Sequence, residues 1–81
     1  KMAFQSSQLS VLAYANQFTL WHYITTDTST TVSGAGYFDP AVDMLRENDL
    51  IIANQDTDGT PATEFYIVTG NDGSTVTITA Y

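Results

Sequence analysis

Apolar and polar residues alternate along Phe18 to Thr26, "FTLWHYITT", in the rhythm of an extended strand. Phe18, Leu20, His22 and Ile24 share one side of such a strand, and Thr19, Trp21, Tyr23 and Thr25 the other. Both sides carry aromatic or β-branched residues, which strands favour. One side therefore packs in the core, and the other needs its own cover, either the N-terminal arm or another subunit. The same alternation returns in "TVTITAY", Thr75 to Tyr81, and "EFYIVT", Glu64 to Thr69, predicts a strand before it. The intervening "GNDGS" predicts a hairpin, with Asn71, Asp72 and Gly73 suited to left-handed dihedrals.

Other segments lack alternation. Leu50 to Ala53, "LIIA", is an unbroken apolar run, read as a strand buried on both sides or central in a curled sheet, emptying into the turn-rich "NQDTDGTPAT". Leu9 to Ala15, "LSVLAYA", is too short for its period to decide; it reads as a short helical turn or an arm packing across the domain. Asp27 to Ser33 is a polar connection with room for an edge strand around Thr30 to Val32. Gly34 and Gly36 mark a bend. A short helix is expected next, with Asp39 as cap, Pro40 at the first position, an apolar face of Ala41, Val42 and Leu45, and an end near Asn48.

The pattern predicts an all-β fold, a small antiparallel barrel or roll of about five to six strands with one short helix. One short helix cannot cover a parallel sheet, which argues against an α/β architecture. The expected organisation is an N-terminal arm or helical turn over residues 1–17 and a β-barrel domain over residues 18–81.

Composition narrows the function classes. The chain has 81 residues, enough for one domain with a thin core, so oligomerisation is an expected source of further stability. Two basic residues face nine carboxylates, a net charge of -7, which disfavours nucleic acid and anionic membrane surfaces as partners. The absence of cysteine excludes disulfides and thiolate zinc sites. No apolar run reaches the roughly 18 residues that cross a bilayer as a helix.

No candidate chemistry survives its spacing. "DTDGT", Asp56 to Thr60, resembles the start of a calcium loop, but the twelfth position falls on Ile67 where a glutamate is needed. Self-capping turns are the simpler reading. His22 is the sole histidine, and no serine stands at a spacing that recommends a nucleophile; a packed imidazole with one hydrogen bond is expected. Asp39, Asp43 and Glu47 repeat at helical spacing, which predicts an acidic face in water. The Gly34–Gly36 pair lacks the lysine of a phosphate loop. The expectation is a protein without catalytic, metal or cofactor residues and without a cofactor.

What is in surplus is aromatic and hydroxyl surface: 12% of residues are aromatic, and threonine is abundant on the strands. Interfaces select aromatic anchors. The one internal cation, Arg46, is expected to pair with Asp49, the alternative being that it stays free to meet a partner carboxylate. The segments "SQLSVLAYANQFTLWHY", "AGYFDPAVDMLRENDLIIAN" and "FYIVTGNDGSTVTI" resemble small virion-associated proteins of tailed phages and prophages. That resemblance implies a head decoration or accessory protein in the virion, a homo-oligomer (trimer or dimer) bound to the major capsid protein or another virion protein. It also makes Trp21, Tyr23, Tyr37, Phe38 and Arg46 the candidate interface. The alternative is a carbohydrate-binding or host-adhesion module, with Trp21, Tyr23 or Tyr37 stacking on sugar rings.

Overall fold

Five strands lie side by side in chain order: β1 (Leu9–Ala15), β2 (Phe18–Ile24), β3 (Leu50–Gln55), β4 (Ala62–Asn71) and β5 (Val76–Ala80). The computed structural model describes residues 4–15 and 18–80; Tyr81, read above as the end of the last strand, and residues 1–3 and 16–17 of the expected arm lie outside them. The fold is all-β, with one short helix, α1 (Ser29–Val32). The sheet is open, with β1 and β5 as its edges, so the expected barrel or roll takes the form of one open layer.

Three neighbouring pairs are antiparallel, but β2 and β3 run parallel, with Leu20 opposite Leu50 and Ile24 opposite Asn54. Parallel neighbours need a crossover of a dozen or more residues, and residues 25–49 supply it. This corrects the antiparallel expectation. The crossover carries α1 and a 3-10 turn, Asp39–Ala41, and lays Val32, Phe38, Ala41 and Leu45 on one face of the sheet. There they meet Trp21 and Tyr23 of β2, Ile51 and Ala53 of β3, and Tyr66 and Val68 of β4. Phe4 closes one side of this core, stacked on Tyr23 at 5.3 Å between ring centroids.

Leu9 to Ala15 is an edge strand instead of a helical turn or arm. It pairs with β2 from Leu9 opposite Tyr23 to Ala15 opposite Phe18, with a bulge around Leu12. Pairing with a neighbour satisfies backbone groups that an isolated turn would leave to water, and Leu9 is buried. Ahead of it, the described residues form the 3-10 turn Ser6–Gln8 and bring Phe4 against the core.

The helix positions also move. Asp39–Ala41 makes a single 3-10 turn with Pro40 at its start, and Met44 and Leu45 both donate their amides to Ala41 O in further turns. Asp39 does not cap that turn with its side chain; its Oδ1 accepts from the Val76 amide at 2.9 Å and holds the start of β5. The α-helix forms where an edge strand was expected. Thr28 caps it by accepting from the Thr31 amide, and Val32 is fully buried beneath it. A cap and one core anchor outweigh the strand preference of Thr30, Thr31 and Val32.

Two reversals rest on left-handed residues. Asn48, at φ 80°, turns the crossover into β3. Gly73, at φ 93°, makes the β4–β5 hairpin, while Asn71 and Asp72 contribute side-chain acceptors instead of left-handed backbone. Asp72 Oδ1 accepts from the Ser74 and Thr75 amides, which holds its carboxyl below the ordinary 3.8.

Candidate functional site

Side chains on the face opposite the crossover meet no second layer among the described residues. Register fixes who stands there. Leu20, His22 and Ile24 of β2 line up with Leu50, Ile52 and Asn54 of β3. Those in turn face Ile67, Phe65 and Thr63 of β4. Thr77 and Thr79 of β5 continue the face on one side, and Ser10 and Ala13 of β1 on the other. β3, expected to be buried on both sides or central, is the middle strand of the five and alternates between half-buried and fully buried positions. Ile24 is 39% and Phe65 43% exposed. The two-sided character of "FTLWHYITT" is thereby explained: Thr19, Trp21, Tyr23 and Thr25 are buried on the core side, and Leu20, His22 and Ile24 form this outer face.

No carboxylate, lysine or arginine stands at these register positions, although the chain carries nine carboxylates. Three of the polar groups that stand there are linked to one another. Thr63 Oγ1 donates to Asn54 Oδ1 at 2.6 Å, which leaves the Asn54 amide nitrogen to donate to His22 Nε2 at 2.8 Å. His22 is thus an acceptor at Nε2 and carries its proton on Nδ1, a tautomer assigned from the network. This chain crosses three strands and agrees with the single-hydrogen-bond reading of His22.

The expected interface residues lie elsewhere. Trp21, Tyr23, Tyr37 and Phe38 sit in the core at 9% exposure or less, so in this fold they pack the domain and present no contact surface. The four rings Phe4, Tyr23, Tyr37 and Phe38 form one cluster with centroid distances of 5.1–6.3 Å. Arg46 is exposed, and it meets Asp49 through its backbone amide at 3.0 Å instead of through the guanidinium. Sequence reading missed Ile52, Asn54, Thr63 and Phe65 as surface neighbours. The signal was recoverable only by laying "LIIANQ" against "EFYIVT" in register.

Inside the core, two carboxylates anchor polar chains. Asp49, 1% exposed, accepts from the Thr19 amide, the Trp21 indole and the Arg46 amide at 3.0–3.1 Å. Asp27 accepts from the Tyr37 hydroxyl at 2.7 Å, Tyr37 from Tyr23 at 2.8 Å, and Tyr23 from the Gln5 amide at 3.1 Å. The direction follows from proton counting, because Tyr37 has one proton and gives it to Asp27.

The Tyr66 hydroxyl lies 2.6 Å from Gln55 Oε1 and 2.8 Å from Glu64 Oε1. One phenol proton cannot serve both. Turning the Gln55 amide over lets its nitrogen donate to the phenol, which then donates to Glu64.

These phenols set an alkaline limit. Burial, then the hydrogen bond to Glu64, pushes Tyr66 well above the ordinary 10.0. Burial, then the bonds to Tyr23 and Asp27, pushes Tyr37 up further. A raised folded-state value means that the native state holds the proton more tightly. The stabilisation is complete below pH 10.0 and drains away as pH climbs past it. Spectrophotometric titration should show at least two of the five tyrosines, Tyr37 and Tyr66 among them, ionising only together with the loss of near-ultraviolet circular dichroism. Ionisation of all of them ahead of that loss would contradict the assignment.

The remaining candidates are structural. Asp56, at φ 55°, caps its own turn by accepting from the Thr60 amide, the bland reading of "DTDGT". Asp43 and Glu47 are exposed, and no shared helix face forms with Asp39. Among the described residues, no group of three or more histidines and carboxylates is arranged to hold a metal ion. No family model matches the chain, and neither a curated protein nor a solved structure is significantly similar to it.

Proposed function

We propose that the chain is a non-enzymatic structural protein, a virion accessory or capsid-decoration component that works by burying its outer sheet face against protein. One observation carries the reading: a charge-free apolar face, open to solvent, on a chain of net charge -7. Open apolar patches of this kind mark interaction surfaces. The hydrogen-bonding groups that could serve chemistry are engaged instead in pinning strands, as at Asp49 and Asp27. Likeness in sequence to virion proteins of tailed phages supplies the setting.

The sugar-binding alternative draws little from the fold, because Trp21, Tyr23 and Tyr37 are buried. Its exposed rings would be Tyr14 and Phe65. The direct test is quantitative mass spectrometry of purified particles from a phage or prophage encoding the chain. The expected result is a fixed ratio of this chain to the shell subunit. Particles that lack the chain altogether would overturn the proposal.

A further inference from the structure

We infer that the outer sheet face is covered by the same face of a second copy, so that two chains form a two-layer β-sandwich about a twofold axis. The inference rests on the reading of that face as a protein-binding surface and names its occupant. Charge is the first argument. Two copies at -7 each repel one another, and they can approach closely only through surface without carboxylates. The outer face is such a surface, whereas the crossover side carries Asp39, Asp43 and Glu47.

The second argument is desolvation. Burying a face costs free energy for each polar group left without a partner. Here Thr63, Asn54 and His22 are already bonded in series, so these two bonds need not be broken when the face is covered. The third is area. Six residues per strand and five strands give a footprint of about 20 Å by about 24 Å. Two such faces bury on the order of 1,000 Å² in total, the lower bound for a specific association. Packed sheets stand about 10 Å apart with strands within about 30° of alignment. In that arrangement β3, the central strand, crosses its counterpart, and Ile52 lies at the middle of the contact.

Sedimentation equilibrium over a concentration series tests this, using the wild-type chain, Ile52→Lys, Phe65→Lys and an edge control, Leu12→Lys. Ile52 and Phe65 point away from the core, so the near-ultraviolet signal of Trp21 should be unchanged in both. Phe65, being 43% exposed, gives a second variant should Ile52→Lys fold poorly. The wild-type chain should sediment as a dimer, and each face variant should raise the dissociation constant by about 100-fold or more, because a lysine is forced into an apolar contact. Leu12→Lys should leave the dimer intact.

A dimer that survives both face variants, or one that only Leu12→Lys disrupts, overturns the inference in favour of edge pairing through β1. A wild-type chain that stays monomeric at all concentrations overturns it too. Particle incorporation of Ile52→Lys then separates the two claims, since its loss would keep the face as a binding surface for another protein.

Discussion

Replacing Asp49 by alanine should cost the domain about 3–9 kcal/mol. Its carboxylate receives three N–H groups, from Thr19, Trp21 and Arg46, at a site 1% exposed. Each buried donor left without an acceptor costs about 1–3 kcal/mol, more than the net gain from a bond that is made. A domain of this size has on the order of 5–10 kcal/mol in total, so Asp49→Ala should be largely unfolded at physiological temperature. Asparagine should not rescue it fully, because its NH2 group would confront donors. Urea unfolding followed by tryptophan fluorescence measures the loss directly. A penalty below about 1 kcal/mol would mean that water reaches the donors, and the site would not be the pin described here.

Truncating Phe38 should be nearly as damaging, for a different reason. The ring is 1% exposed and lies 5.1–5.5 Å from Phe4, Tyr23 and Tyr37, joining the crossover to β2. Phe38→Ala removes that ring and leaves a void, a change that typically costs about 3–5 kcal/mol. Phe38→Leu keeps most of the volume and should cost about half as much or less. The difference between the two urea midpoints, at constant slope, isolates the packing contribution. Equal losses in both variants would place the stabilisation in ring–ring geometry instead of filled volume.

Much of this architecture could be read from the chain, and the failures have physical causes. β2, β4 and β5 were legible because period-two alternation is a direct imprint of one buried face. β1 was not, since "LSVLAYA" suits either a helix turn or a strand until a partner strand is present. The direction of β3 beside β2 leaves no local trace, because parallel and antiparallel strands share the same pleat. The helix at Ser29–Val32 depended on the Thr28 cap and on a core pocket for Val32, a tertiary event that overrode residue preference.

The candidate site divided in the same way. "FTLWHYITT" announced two apolar sides, but which one would be left open depended on where residues 25–49 were laid. Rings enriched enough to suggest contact surface were needed to fill a thin core. Arg46 kept to the surface, and its guanidinium makes no ion pair among the described residues.

The parallel seam between β2 and β3 has a consequence for uniqueness. Nothing local enforces alignment there, because a long connection tolerates a slip that a tight hairpin forbids. A one-residue shift would aim His22 inward and turn Trp21 and Tyr23 to water. Both ends of the seam are locked by specific bonds: Asp49 to Thr19 and the Trp21 indole at one end, and the Asp56 amide to Asp27 O and Thr57 to Thr25 O at the other. Between them, Asn54 reaches His22. Such contacts act as a vernier. They select one alignment among several with similar oily content, so a single native state emerges from a chain whose two strands are apolar on either side.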